Sequence, residues 1–116
     1  MANEILTHPT MAERVRAAVL PIVPVCDPGV YRGNESEYCT YQLTRQPTHH
    51  GDDMPHVMRY LVLVHWFLPP EINPEEKLIQ ICRALAQVGT YPTVEDASDL
   101  TSQHFVFELQ AADGGL

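Results

Sequence analysis

The sequence predicts an α+β domain, a mostly antiparallel sheet of four to five strands with two helices packed on one face. Three observations predict it. Two segments place apolar residues at helical spacing behind helix-start residues. Two others alternate apolar and polar with period two. One stretch, residues 58–68, is apolar on both of its faces. The 116 residues suffice for one domain with a modest core, and 1–8 and 111–116 are expected to be flexible ends of that single unit, 1–116.

Each element has its own signal. Thr10 followed by Glu13 forms a capping box, and Met11, Val15, Ala18 and Val19 then make one apolar stripe opposite Glu13 and Arg16. Pro21 ends this helix, because the residue before a proline is pushed out of helical geometry. The segment "PIVPVCD" is extended, and its two prolines restrict it to a sheet edge. "DPGVYRGNESE" is rich in turn residues and reads as a loop. From Tyr38 the period becomes two, with Cys39, Tyr41 and Leu43 inward and Thr40, Gln42 and Thr44 on a wet face.

The strongest strand signal is "HVMRYLVLVHWFL". Met58, Tyr60, Val62, Val64, Trp66 and Leu68 make an unbroken apolar face. Arg59, Leu61, Leu63, His65 and Phe67 make the other. A central strand covered by helices on one side and by a neighbouring chain on the other fits this pattern. Trp66 and Phe67 must point oppositely, so one of them lies outside the domain's own core. Asn73 as cap, Pro74 at the first helical position and Glu75 and Glu76 on the positive dipole end start the second helix. Leu78, Ile81, Cys82 and Leu85 form its stripe, and Gly89 suits the position past its end. Phe105, Phe107 and Leu109 alternate with His104, Val106 and Glu108 in a last strand, paired as a hairpin with the segment before it.

Fifteen acidic against seven basic residues give a net charge of −8, which repels a phosphate backbone and argues against sequence-independent nucleic-acid binding. Three widely spaced cysteines, Cys26, Cys39 and Cys82, read as buried thiols in a reducing compartment. The longest apolar run is interrupted by His65 and is too short for a membrane span, so a cytosolic product is expected. No nucleophile elbow, glycine-rich phosphate loop or C-x-x-C pair is present, and neither catalysis nor a cofactor is expected. One stretch does invite chemistry. "THHGDDMPH" contains His50-Gly51-Asp52, the H-x-D spacing of a facial metal triad, with His56, His65 or His104 able to supply the third leg. A small metal enzyme using His50, Asp52 and His56 is therefore the alternative reading. The competing reading is a hairpin connection in which Gly51 and the aspartates do the turning. His65, inside an apolar strand, reads as a histidine satisfied by a hydrogen bond, with an interface role as the functional alternative. Glu95, Asp96 and Asp99 read as a solvated turn or as the rim of a partner site.

The succession of "VYRG", "YCTYQLT", a turn ending in "GDDMP", "RYLVLVHWFLP", "IQICRALAQVGTYP" and "HFVFELQ" resembles the small tail-completion or tail-terminator proteins of long-tailed bacteriophages and prophages. It extends over roughly residues 10–110. The resemblance implies a non-catalytic virion protein, made in the host cytoplasm, that forms rings, commonly hexameric. Such rings cap the tail tube and present a surface to the head–tail connector. It implies helices on one face of a small sheet, and it places Asp52 and Asp53 in a contact loop together with Glu95, Asp96 and Asp99. The excess acidity would let DNA pass through the ring without sticking.

Overall fold

The computed structural model of the chain describes residues 9–47 and 58–113. In chain order the elements are α1 (Met11–Val19), β1 (Cys26–Pro28), β2 (Tyr38–Pro47), β3 (Met58–Leu68), α2 (Glu75–Leu85), β4 (Thr93–Asp96) and β5 (Gln103–Asp113). The strands form one open sheet in the order β1-β2-β3-β5-β4. Only the β1–β2 pair is parallel. The fold is thus α+β with a mostly antiparallel sheet, as the periodicities predict.

Residue pattern explains why β3 is central. Its even-numbered residues Tyr60 to Leu68 are all buried, and Val62, Val64, Trp66 and Leu68 are fully so. They meet Cys39 and Tyr41 of β2, Phe105, Phe107 and Leu109 of β5, Val15 and Val19 of α1, and Ile81 and Leu85 of α2 in one core. Side-by-side strands put Trp66 opposite both Cys39 and Phe105, so the largest core side chain sits at the middle of the sheet. Its indole N–H needs a partner once buried, and Nε1 donates to Glu37 Oε2 at 3.0 Å. Lys77 Nζ lies 3.0 Å from both carboxylate oxygens of Glu37. The incoming loop, the sheet and α2 are therefore tied at one point.

The helix starts follow their chemistry. Glu13 N–H donates to Thr10 Oγ1 at 3.1 Å, and Thr10 N–H donates to Glu13 Oε1 at 2.9 Å, completing the capping box. In α2, Glu75 N–H donates to Asn73 Oδ1 at 3.0 Å, and helical assignment begins at Glu75, one residue later than expected.

Four expectations change. Gly89 does not terminate α2 in the left-handed region; among the described glycines only Gly29 has a positive φ, 74°. A Cβ at Gly89 would instead run into the Gln110 carbonyl oxygen and Ala111, so this glycine permits the close approach of the post-helix turn to β5. Thr40, expected on the wet face, is buried, because it sits on the inner pair of strands between Asp27 and His65. Residues 111–113, expected to fray, continue β5: Ala111 pairs with Tyr60 and is buried against the core. The segment from Pro21 forms no strand until Cys26; helical turns carry the chain to Val23, which is buried.

Candidate interaction surface

Both helices lie against the even-numbered face of β3, and among the described residues no helix lies over its odd-numbered face. Leu61, Leu63, His65 and Phe67 project there and are half-buried rather than covered. Strand register brings Tyr38 of β2 and His104 of β5 to either side of Phe67. The rings stack across the strands: Tyr38 on Phe67 with centroids 4.8 Å apart, and Phe67 on His104 at 4.1 Å, both pairs inclined by 19°. Tyr31 extends the row from the β1–β2 loop, 4.6 Å from Tyr38. Its hydroxyl accepts the Glu35 N–H at 2.8 Å, which holds that loop around the ring. Since Phe67 has a neighbour on each face, the row presents ring edges outward and leaves Phe67 no free π-face for a nucleic-acid base.

The row ends in a histidine pair. His65 Nδ1 lies 2.9 Å from His104 Nε2, and the ring centroids are 5.1 Å apart. These distances put both nitrogens close to the line between the ring centres, which is the geometry of one N–H···N hydrogen bond. Two lone pairs converging on a common metal would bring the centroids closer. One imidazole must therefore be donor and the other acceptor, and a second proton would break the bond. Burial pushes the His65 proton affinity down, and a charge on His104 would push it further. Burial also lowers that of His104, against the opposing pull of Asp99 and Glu95.

The β4–β5 hairpin forms the edge of this face. Its turn is bound by its own side chains. Asp96 Oδ1 accepts the Ser98 N–H at 3.0 Å, and Asp99 Oδ1 accepts the N–H groups of Thr101 and Ser102 at 2.8 and 3.0 Å. Hydrogen bonds from Ser98, and from Thr101 and Ser102, hold the Asp96 and Asp99 carboxyls below the usual carboxylate range, so both stay ionised. Glu95 is exposed on β4. This turn presents Leu100, 98% exposed.

Of the residues singled out in sequence, His65 lies on the helix-free face and Glu95, Asp96 and Asp99 cluster at its hairpin edge. Asp52 and Asp53 lie outside the described residues. So do His50 and His56, and with them the H-x-D metal set; among the described residues no three His, Cys, Asp or Glu side chains gather as a metal site. Sequence reading offers His104 only as a metal leg and a strand residue, not as the partner of His65, and it does not single out Glu37. The histidine pairing is found only through the β3–β5 register, whereas Glu37 had a signal, since a buried tryptophan N–H calls for a nearby acceptor. No helix among the described residues is long and apolar enough to cross a membrane. Compared with known proteins, the chain matches no protein-family model and no curated protein.

Proposed function

We propose that this chain is a structural subunit that assembles with copies of itself into a ring, and that the ring closes the tail tube of a long-tailed phage or prophage and joins it to the head connector. The observation that carries the reading is the helix-free face of the sheet. There, Leu61, Leu63 and Phe67 stay half-exposed beside an aromatic row, where an isolated domain would place polar residues. The sequence resemblance to tail terminators names the assembly, and the α+β frame agrees with the fold that resemblance implies. The acidic hairpin with Leu100 supplies a second contact element at the sheet edge, of the apolar-centre, charged-rim kind that protein interfaces use.

Native mass measurement and negative-stain microscopy of the full chain, alone and mixed with a tail tube protein, test this. The expected result is a closed multiple of the monomer, or rings seated on tube ends. Leu63→Glu should abolish the assembly while leaving the monomer's thermal midpoint within a few degrees of wild type, because the side chain lies outside the core. A chain that remains monomeric at every concentration and leaves tube ends bare overturns the reading.

A further inference from the structure

We propose that Cys26 and Cys39 form a redox modification site, in which a disulfide oxidant such as oxidised glutathione converts the two thiols to an intramolecular disulfide that staples β1 to β2. Register puts them together. Cys26 and Cys39 are directly paired in the one parallel ladder of the sheet, so both side chains point to the same face. Adjacent strands lie roughly 4.8 Å apart, inside the roughly 4.4–6.8 Å range of Cα separations that disulfides span. Both cysteines are free and buried, at 1% and 0% exposure, in the same core cluster.

The pair is asymmetric in a way that assigns roles. Arg16 Nε donates to the Cys26 carbonyl oxygen at 2.9 Å, which anchors a guanidinium beside this cysteine. The neighbouring Cys39 thiol and the Arg16 charge favour the Cys26 thiolate against the opposing effect of burial, and Cys26 lies on the edge strand while Cys39, kept protonated by its neighbour and by burial, lies on the inner one. Cys26 is the attacking sulfur and Cys39 the resolving one. Cys26 thiolate attacks one sulfur of oxidised glutathione, forming a mixed disulfide and expelling one glutathione thiolate. Cys39 then loses its proton, attacks the Cys26 sulfur and expels the second. Two protein thiols are oxidised by two electrons, and one oxidised glutathione becomes two glutathiones. Access comes from β1 itself, a three-residue strand at the sheet edge that can open without global unfolding. Cys82 is the internal control: it lies in α2, away from the β1–β2 ladder, and its thiol is pushed up by burial.

The test is peptide mapping of the folded, full-length chain after incubation with oxidised glutathione and alkylation of the remaining thiols. The expected product is a Cys26–Cys39 disulfide with Cys82 alkylated, accompanied by a higher thermal midpoint that dithiothreitol reverses. Cys39→Ser should trap glutathione on Cys26, whereas Cys26→Ser should trap none on Cys39. The wild-type map decides the matter even if a variant fails to fold. Two outcomes overturn the proposal: folded protein in which Cys26 and Cys39 both stay alkylatable while urea-unfolded chain cross-links, or bonds to Cys82 formed as readily as Cys26–Cys39.

Discussion

Single residues here do work that their type alone does not announce. Gly89 sits where a helix-ending glycine belongs, yet its missing Cβ matters because the Gln110 carbonyl occupies that space. Gly89→Ala should therefore destabilise the fold by about 1–3 kcal/mol, the cost of forcing a methyl into a closed contact, read from urea midpoints at unchanged slope. A substitution at a solvent-facing helix end would instead cost only what the left-handed conformation demands. His65 and His104 give a second prediction. Both bind protons less tightly in the folded chain than the roughly 6.5 of a free histidine. As pH falls below that value the unfolded chain binds more protons than the folded one, so the pair's contribution is complete above it and is lost as pH drops through the folded-state values. The thermal midpoint should fall between about pH 7.5 and 5.5. His65→Gln with His104→Gln should shrink that fall, by less than about 1 kcal/mol per site because both rings are half-exposed. Assembly through the same face should weaken over the same interval, since charge would be placed on a surface that must be covered.

Among the elements, α1 was the most legible. Thr10, Glu13 and the apolar stripe each report a local interaction within one or two turns, and all appear where the spacing puts them. Thr10→Ala removes the side-chain half of the capping box, the Oγ1 acceptor of the Glu13 N–H, and should cost about 1 kcal/mol, seen as a lower thermal midpoint with unchanged helical content at low temperature. β3 was legible because its even-numbered set is wholly apolar while Arg59 and His65 mark the other face, and burial alternates accordingly. Its flanking strands were legible as strands but not as neighbours. β1, read as an edge segment from its prolines, is indeed at the edge, but its parallel pairing with β2 follows from how the intervening loop returns across the sheet. That loop is fixed by the Trp66–Glu37–Lys77 network, whose members are far apart in sequence. The extension of β5 through Asp113 was missed because alanines next to a glycine-rich end carry little strand signal. Pairing with β3 overrides that weak propensity.

At the scale of the whole molecule, the open sheet leaves two short edge strands, one helix-free face and one rigid hairpin tip. Sequence already stated that β3 is apolar on both faces, and from that came the expectation of a neighbouring chain on its second face. That inference needed nothing but a period of two and the identities of Leu61, Leu63 and Phe67. What sequence could not supply is which residues share that face. The Tyr31–Tyr38–Phe67–His104 row, the His65–His104 hydrogen bond and the Cys26–Cys39 pair join positions from different strands. Register alone decides those meetings, and register is set by the packing of the entire core. Local chemistry thus determined the elements, their ends and the inward faces, because each depends on neighbours a few residues away. Tertiary structure decided the candidate surface and the thiol pair, because hydrogen-bonded strands bring together side chains whose proximity no spacing along the chain encodes.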